Sequence, residues 1–432
     1  MTRPDPRRAH TPDARARGAQ DGHREHMRGH SIGHSIGHSG GHIVIASDKF
    51  KGSLTASEVA ARVAAGLGPG VRTVSVPVAD GGDGTVDAVV ECGFSRVRVE
   101  VPGPTGETVT ASYGWRDAAD GPVAVIELAE ASGLRRLSRG LAPLTATSLG
   151  TGHLIGHAVR RGARRVVLGL GGSASTDGGA GMLQALGVRL LDDQGRDLPP
   201  GGAALRRLAR VDTSGLDVAG VEFVVASDVD NPLLGPNGAA AVYGPQKGAS
   251  PADVAVLEAA LTHFAKVAAD VAVPEPAPPE AATGPAGDDT VHLPHANRPG
   301  AGAAGGVGYA AMAFLNARIE PGIRYLLDLL RFDDVLDGAR LVITGEGSLD
   351  EQSLRGKAPM GVAEAAARHG VPVVAVCGRR LLTDERLQKA GIRAAYALTD
   401  LEPDPAVCIA QAGPLLERLA ARIAATEPEL RR

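Results

Sequence analysis

Aromatic side chains are scarce in this chain, at 3% of its residues, and positive charge is not in excess, because the formal net charge is −4. A nucleic-acid partner usually needs a basic face or aromatic rings on which bases stack, so this balance argues against one. Cysteine is equally rare. Cys92, Cys377 and Cys408 lie far apart and lack metal-site spacing, which predicts reduced thiols and a cytoplasmic protein. No apolar run is long enough to span a membrane, so no membrane partner is expected.

Common nucleotide-site signatures are missing or stand in the wrong context. The Walker A pattern is absent, because the sole Gly-Lys pair, Gly356-Lys357, is followed by Ala358 and has no glycine five residues before it. The HRD and DFG motifs of protein kinases are absent as well. GAGAAG at 300–305 matches GxGxxG but follows a Pro-rich segment instead of a strand, so we interpret it as the close-packed start of a helix.

Two segments do not follow the pattern of a folded core. Residues 1–42 form a tail rich in Arg, His and Gly, which predicts disorder. In this tail His30, His34, His38 and His42 recur every fourth residue and could share a helix face that binds metal, but the intervening glycines disfavour a helix. A disordered extension, or a start codon placed too early, is the favoured reading. Residues 273–299 are rich in Pro and Ala and read as a flexible insertion near a domain junction.

The remainder alternates buried-strand patterns with helical ones, which predicts an α/β fold with parallel sheets. The predicted strands are IVIAS (43–47), VRTVSVPVAD (71–80), RRVVLGLGG (164–172), VEFVVASD (221–228), LVITGEG (341–347) and VPVVAVCG (371–378). Thr55 and Glu58 have the spacing of a capping box that opens a helix at ASEVAARVAAGL. Glycine is abundant, with 58 residues, and outside the tails it follows apolar runs, which suggests loops built around a ligand.

Ligands of open α/β sheets lie beyond the carboxyl ends of strands, so the polar residues there are the first candidates. Asp48, Lys49 and Lys51 follow the first strand, and two ammonium groups there suit an anionic substrate and the charge of phosphoryl transfer. A solvated turn is an equal alternative from this segment alone. Asp80 and Asp83, in DGGDG, could hold Mg²⁺, although a tight turn with a helix cap would give the same pattern.

Three further loops share this position. Residues 169–179, GLGGSASTDGG, join a strand to a helix, and their free N–H groups and hydroxyls favour phosphate binding over a bare turn. Asp228 and Asn231 follow another strand and are candidate metal or substrate contacts. Glu346 stands in TGEGSLD (344–350), with Lys357 a little farther on. The last two loops could instead be capped turns. The residues thus indicate an α/β enzyme that uses ATP or phosphate and is not of the P-loop type.

Taken together, the segments resemble the bacterial glycerate kinases that form 2-phosphoglycerate. The resemblance runs from about residue 43 to about residue 425, and long ordered matches of this kind are far more specific than one glycine loop. The matching stretches are IASDKFKGSLTASEVA, PVADGGDGTVDA, ATSLGTGHLI, LGLGGSASTDGGAGMLQALG, ASDVDNPLLGPNGAAAVYGPQKGA, PGAGAAGGVGYA and LVITGEGSLDEQSLRGKAPMGVA.

The resemblance implies two α/β domains with the active cleft between them. One, flavodoxin-like, is built from both chain ends (43–83 and 300–432), and the other is inserted into it (84–299). The implied reaction transfers a phosphoryl group from ATP to D-glycerate, giving 2-phospho-D-glycerate and ADP, and needs Mg²⁺. Ser348 is a departure, because members of the family often carry Arg there.

The candidate site residues fall into four groups. The catalytic candidates are Asp48, Lys49, Lys51, Asp177, Glu346 and Lys357. The candidates for nucleotide or phosphate binding are Gly171, Gly172, Ser173, Ser175, Thr176 and Gly178. The candidates for substrate binding are Ser53, Gly81, Gly82 and Asn231, and those for metal are Asp80, Asp83 and Asp228.

Two other readings stay open at this point. The substrate could be another small hydroxy-acid, such as a tartronate- or erythronate-like compound, because pocket shape decides a difference of one hydroxyl. Alternatively, the chain could be a non-catalytic protein that binds glycerate or nucleotide. The sequence leaves undecided which hydroxyl is phosphorylated, which carboxylate holds Mg²⁺, and the oligomeric state.

Overall fold

The computed structural model describes residues 41–274 and 293–430, which belong to one compact unit. The predictions for the His-rich tail up to residue 40, and for residues 275–292 of the Pro/Ala-rich insertion, lie outside the described residues. His42 does not belong to the tail, because it opens the first strand and is buried. Within the described ranges no helix is long and apolar enough to cross a bilayer.

The described residues contain thirteen strands and fourteen α-helices. The strands are β1 (His42–Ser47), β2 (Thr73–Ser75), β3 (Ser95–Pro102), β4 (Thr108–Arg116), β5 (Val123–Glu127), β6 (Arg165–Gly169), β7 (Arg189–Leu191), β8 (Arg210–Asp212), β9 (Glu222–Ala226), β10 (Arg318–Glu320), β11 (Ala339–Leu349), β12 (Val373–Arg380) and β13 (Ala394–Ala397). The helices are α1 (Ala56–Leu67), α2 (Thr85–Glu91), α3 (Leu128–Ser132), α4 (Leu149–Arg160), α5 (Ala180–Ala185), α6 (Ala239–Tyr243), α7 (Pro251–Ala268), α8 (Ala303–Leu315), α9 (Gly322–Leu329), α10 (Phe332–Leu336), α11 (Ala358–Arg368), α12 (Asp384–Lys389), α13 (Pro405–Ala410) and α14 (Ala412–Thr426).

The first sheet is built from both ends of the chain, and with its helices we call it the first lobe. Its five strands are all parallel, in the order β13-β12-β11-β1-β2. Numbered along the chain within this sheet, that is the order 2-1-3-4-5 of flavodoxin-like folds. β1 is buried along its whole length because helices cover both faces of the sheet. Helices α1 and α14 pack on one face, and α11 packs on the other.

Helix α1 begins where the sequence predicts it to begin. The backbone N–H of Glu58 donates to Thr55 Oγ1 at 3.2 Å, and the backbone N–H of Thr55 donates to the Glu58 carboxylate at 2.8 Å. The predicted capping box is therefore confirmed. It fixes the start of α1, and so the end of the loop that connects β1 to this helix.

The second sheet is mixed, and with its helices we call it the second lobe. Its six strands follow the order β10-β9-β6-β5-β4-β3. The first four are parallel to one another, whereas β4 is antiparallel to both β3 and β5. Helices α4, α5, α7 and α8 contribute to a large apolar core with this sheet, and β7 and β8 form a small separate pair.

Helix α9 lies between the cores of the two lobes. Its Ile323 and Leu327 pack into the apolar cluster of the first sheet, and its Leu326 packs with residues of the second sheet such as Val125 and Val167. An α/β fold with two sheets, one of them assembled from both chain ends, therefore agrees with the predicted fold class. The division into domains stays a prediction. In the structure β10 pairs with β9, so Arg318–Glu320 belong to the second sheet although they follow the predicted boundary at residue 300.

Several predicted strands have different limits in the structure, and two of these differences bear on the site. The segment 71–80 was expected to be one strand, but only Thr73–Ser75 is a strand. In contrast β11, which was predicted over residues 341–347, continues past Gly347 through Leu349. It does so because β12 also continues beside it, with Glu346 next to Cys377 and Ser348 next to Arg379 in the register. A parallel partner can hold a glycine-containing segment extended even where the sequence favours a loop.

Candidate active site

A cavity of about 640 Å³ lies at the carboxyl edge of the first sheet, where the second lobe meets it. The carboxyl ends of the five strands of that sheet, or the segments that follow them, line this cavity, and two glycines from the second lobe complete it. The lining residues are Asp48, Lys49, Phe50, Lys51, Ser53, Asp80, Gly82, Asp83, Gly171, Gly172, Glu346, Gly347, Ser348, Asp350, Lys357, Gly378, Arg379, Leu398, Thr399, Pro405, Cys408 and Ile409. The cavity includes the place between β1 and β11 where the strand order reverses, which is where open α/β sheets bind ligands.

Most of the candidate catalytic residues from the sequence meet in this cavity. Asp48, Lys49 and Lys51 lie in the loop after β1. Glu346 lies in β11, and Lys357 is the residue directly before α11. Residues far apart in the chain therefore face one space. That arrangement is what a site handling an anionic substrate requires.

The lysines have different surroundings. Lys49 Nζ donates to the backbone carbonyl of Asp83, so it ties the loop after β1 to the loop after β2. Lys357 Nζ lies 3.5 Å from Glu346 Oε2. Lys51 is exposed, and its ammonium group has no ion pair or hydrogen bond within the described ranges. One lysine is thus fixed by the fold, one is paired with an acid, and one is free to meet a ligand.

Arg379 is a cation of this cavity that the sequence reasoning missed. It is exposed, lines the cavity and has no hydrogen bond or ion pair with the described residues. The register places it beside Ser348 of β11. The same signal that identified Lys49, a charged residue at the end of an apolar strand run, was present in VCGRR.

Two acids of the cavity have perturbed proton affinities. Burial raises the pKa of Asp48 to about 7, Lys49 opposes this rise, and the nearby carboxylates of Asp80 and Glu346 add to it. Burial also raises the pKa of Glu346, whose Oε1 is buried without a hydrogen-bond partner among the described residues. Asp48 Oδ1 accepts a hydrogen bond of 2.7 Å from the backbone N–H of Lys49. A carboxyl whose pKa is near neutral, as that of Asp48 is, suits general acid–base chemistry.

The three candidate metal ligands do not all share one space. Asp80 and Asp83 line the cavity. Asp228 instead lines a neighbouring groove of about 550 Å³, where burial raises its pKa to about 6 and it accepts a hydrogen bond of 3.0 Å from the backbone N–H of Gly322. In the described part of the chain no group of three or more His, Cys, Asp or Glu side chains forms a metal site. The neighbouring carboxylates of Asp48 and Asp80 nevertheless offer the oxygen donors that Mg²⁺ prefers.

The glycine-rich loop after β6 approaches the first lobe through its backbone. A Cβ on Gly171 would lie 2.4 Å from Gly82 Cα, and a Cβ on Gly172 would lie 3.1 Å from Asp83 Oδ1. Gly172 also has φ +73°, which favours glycine. Gly171 and Gly172 face the cavity, so the tip of this loop is where a phosphate could meet it.

The rest of that loop is buried beneath the tip. Ser173, Ser175, Thr176 and Gly178 do not line the cavity, although they were candidates for phosphate binding. Ser175, Thr176 and Gly178 pack instead against GAGAAG, where Gly305 would place a Cβ 2.2 Å from the carbonyl oxygen of Ser175. The backbone N–H of Gly178 donates to the carbonyl of Gly305 at 2.9 Å. The GxGxxG match is thus a backbone packing surface, in keeping with its interpretation as a close-packed segment.

Asp177 is fully buried and accepts several hydrogen bonds from its surroundings. Its Oδ2 accepts from the backbone N–H of Ser148 at 2.8 Å, from Ser148 Oγ at 2.9 Å and from the backbone N–H of Gly181 at 3.2 Å. It therefore holds the start of α5 against the loop before α4 and does not face the cavity. The geometry favours a positioning role for Asp177 over the catalytic one expected from the sequence.

The four candidate substrate contacts are divided in the same way. Ser53 and Gly82 line the cavity. Gly81 packs on the second lobe, where a Cβ would lie 2.2 Å from the carbonyl oxygen of Ala226. Asn231 is engaged elsewhere, since its Nδ2 donates to the carbonyl of Asn237 at 2.8 Å and its Oδ1 accepts from Tyr243 at 2.6 Å.

Lys247 is a second residue that the sequence reasoning missed. It is 1% exposed, and its Nζ donates to Ser173 Oγ at 2.8 Å and to the carbonyl of Ser175 at 2.5 Å. Burial lowers the pKa of this amine to about 7, against an opposing effect of Asp177. Lys247 thus supports the glycine-rich loop from below. The stretch YGPQKGA gave no sign of this, because the partners of Lys247, Ser173 and Ser175, lie far earlier in the chain.

Comparison with known proteins points to one family. A model described as the glycerate kinase family matches residues 43–427. A glycerate kinase of Bacillus subtilis is 43% identical over 391 residues, covering 89% of this chain and 97% of the relative. A glycerate 2-kinase of Escherichia coli is 44% identical over 350 residues, covering 79% of this chain and 86% of the relative. A crystal structure described as glycerate kinase 2 from Salmonella typhimurium LT2 is similar with a TM-score of 0.74 and 41% identity, covering 90% of this chain and 98% of that one.

Proposed function

The chain belongs to the glycerate kinase family, and on that premise we propose that it transfers the γ-phosphoryl group of ATP to the 2-hydroxyl of D-glycerate. The products are 2-phospho-D-glycerate and ADP. The observation that carries the proposal is the meeting of Lys49, Lys51, Lys357 and Arg379 with the acids Asp48 and Asp80 in one cavity at the carboxyl edge of the sheet. Cations stabilise the charge that develops in phosphoryl transfer, and a carboxylate accepts the proton of the attacking hydroxyl.

Asp48 is the residue that we assign to proton transfer. It sits at the end of β1 in the middle of the charged residues, and it is held by the backbone N–H of Lys49. Its carboxylate takes the proton from the 2-hydroxyl of glycerate as that oxygen bonds to the γ-phosphorus. The bond from phosphorus to the bridging oxygen breaks, and the electron pair leaves with ADP.

The cations bind and orient the anionic groups. Lys49 is fixed on the carbonyl of Asp83, so it offers its charge from one position at the transfer point. Lys51 and Arg379 are exposed and unpaired within the described residues, so each can turn toward a carboxylate or a phosphate. A donor that is already in place when charge develops costs no reorganisation in the transition state.

The reaction as proposed needs Mg²⁺, and Asp80 and Asp83 are the residues that would hold it. The carboxylate of Asp80 adds to the rise in the pKa of Asp48, and a divalent cation beside these groups would offset that effect. Bound there, the ion would neutralise negative charge on the phosphate chain. We also propose the cytoplasm as the location, because ATP is supplied there.

The experiment is turnover with D-glycerate and ATP, followed by ADP release in a coupled assay and by phosphorus NMR of the product. We expect Mg²⁺-dependent formation of 2-phosphoglycerate. A spectrum containing 3-phosphoglycerate alone would contradict the position of transfer. Tight binding of glycerate without any turnover would contradict the enzyme proposal and support a binding protein.

A further inference from the structure

The two ends of the active-site cavity differ in chemistry. Around the ends of β1 and β2 its lining is charged, with Asp48, Lys49 and Asp80. Beyond the end of β13 the lining is largely apolar, formed by Leu398, Pro405, Cys408 and Ile409, with the hydroxyl-bearing Thr399 among them. The charged end is used by the proposed reaction, but the apolar end has no part in it so far.

The strand order shows where the apolar end and the charged end lie relative to each other across the sheet. Neighbouring strands run β13-β12-β11-β1, so the apolar end and Asp48 are separated by three strand spacings, or about 14 Å. Arg379 lies at the end of β12, between these two ends, and Lys357 follows β11. A molecule that lies along this edge would meet apolar residues first, then two cations, then the acids and Lys49.

Ile409 is unusual among the apolar residues at this end. It is 55% exposed on the short helix α13, whereas Leu398, which also lines the cavity, is 1% exposed and belongs to the core of the first lobe. The large apolar side chain of Ile409 is therefore exposed to solvent at the edge of a cavity whose other wall includes buried core residues. An exposed apolar side chain that continues a binding cavity gains stabilisation when a flat apolar ligand covers it.

We propose that this apolar end, formed by Leu398, Thr399, Pro405 and Ile409, is the site for the base of the nucleotide. The base lies against α13, the phosphate chain crosses β12 and β11 past Arg379 and Lys357, and the terminal phosphate reaches Asp48 and Lys49. This direction places the tip of the glycine-rich loop, Gly171 and Gly172, at the transfer point and not at the base. The inference rests on the proposed function, because it concerns the nucleotide of that reaction.

The test separates recognition of the base from recognition of the phosphates. Isothermal titration measures the affinities of ADP and of inorganic triphosphate for the wild-type protein and for Ile409→Asn, a neutral change that adds no charge near the phosphates. We expect ADP to bind at least about tenfold more weakly to Ile409→Asn, since a buried apolar contact is lost. Triphosphate should bind equally well to both proteins, and Ile409→Phe should retain ADP affinity because a ring can pack on the base.

The matched control is Val242→Asn, which changes a 41% exposed valine on α6, in the second lobe and away from the cavity. It should bind ADP as the wild type does. Unchanged ADP affinity in Ile409→Asn, or equal loss of ADP and triphosphate, would overturn the base site. If that happens while the wild type still phosphorylates glycerate, the proposed function stands. If ADP, but not triphosphate, binds more weakly to Ile409→Asn than to the wild type, and the wild type shows no turnover with glycerate, then the base site stands and the proposed reaction does not.

Discussion

Lys49 and Lys51 stand two residues apart on one loop, yet the fold treats them differently. The ammonium group of Lys49 is already tied to the backbone of Asp83, whereas that of Lys51 is unpaired among the described residues. A fixed cation contributes mainly when charge develops in the transition state, and a mobile one contributes mainly to holding the substrate.

We therefore predict that Lys49→Ala lowers kcat and kcat/KM together, by on the order of a hundredfold. Lys51→Ala should chiefly raise the KM of one substrate. Steady-state kinetics with each substrate varied in turn measures both effects. Lys389→Ala, on an exposed lysine of α12, is the control and should behave as the wild type. Wild-type kinetics in both Lys49→Ala and Lys51→Ala would remove this loop from the active site.

Lys247 is the basis of a second prediction, which concerns how the free energy of unfolding depends on pH. Burial lowers the pKa of its amine from 10.5 to about 7 in the folded protein. Between these two values the unfolded chain binds more protons than the folded one, so the free energy of unfolding rises with pH. From pH 7 to pH 9 this residue should contribute an increase of about 2 kcal/mol.

The measurement is urea denaturation of the wild type and of Lys247→Met at both pH values. The comparison uses the change with pH in each protein, so it is insensitive to the overall cost of the substitution. The increase should be smaller in Lys247→Met by that amount. Identical pH dependence in the two proteins would mean that the amine does not titrate in this range.

At the scale of elements, the loops between strands and helices decide how the lobes meet. The loop after β6 and the loop after β2 are in contact through glycines. Gly171 and Gly82 lie so close together that a Cβ on Gly171 would not fit between them. Each loop also contributes to the cavity. The distance between the phosphate-facing tip and the acids of the first lobe therefore depends on this contact.

Gly171→Ala should push these two loops apart and reduce kcat/KM by on the order of a hundredfold, because a displacement of about 1 Å at a reacting centre is enough for that. The protein should remain folded, as circular dichroism and a thermal melt would show. Gly70→Ala is the matched control, since nothing lies within 4 Å of its added methyl group. Should Gly171→Ala retain full activity, the contact between the loops has no effect on the reaction.

The structure also shows which elements the sequence could predict. The strand at 43–47 and the helix opened by Thr55 and Glu58 follow from local pattern, because a buried run and a capping box act within a few residues. The continuation of β11 beyond Gly347 does not, because it depends on pairing with β12. Arg379 was overlooked although VCGRR carries the same local signal that identified Lys49.

On the scale of the whole molecule, the fold class could be predicted but the joining of the lobes could not. Alternation of strands and helices indicated α/β, and resemblance to a family indicated two domains. That α9 would pack on both cores, and that β10 would belong to the second sheet, depends on contacts between residues distant in the chain. Asp177 and Asn231 were assigned to the site for their chemistry, whereas their burial and hydrogen bonds turn them toward the protein itself.

Removal of residues 1–40 should leave turnover and thermal stability nearly unchanged. The first strand begins at His42, and the match to the family begins at residue 43. A tail without apolar periodicity cannot offset the entropy of ordering it. Activity assays and melts of the shortened and full chains decide the matter, and a large loss of activity would assign the tail a role.

The first sheet can be completed only late in synthesis on the ribosome. β1 begins at residue 42, but its neighbour β11 begins only at residue 339, after the entire second lobe has been made. Since domains fold as units during translation, the second lobe completes while β1 still lacks its neighbour β11. The nascent chain therefore carries an apolar strand with an open edge for most of its elongation, and a premature stop before residue 339 releases a chain prone to aggregate through that edge.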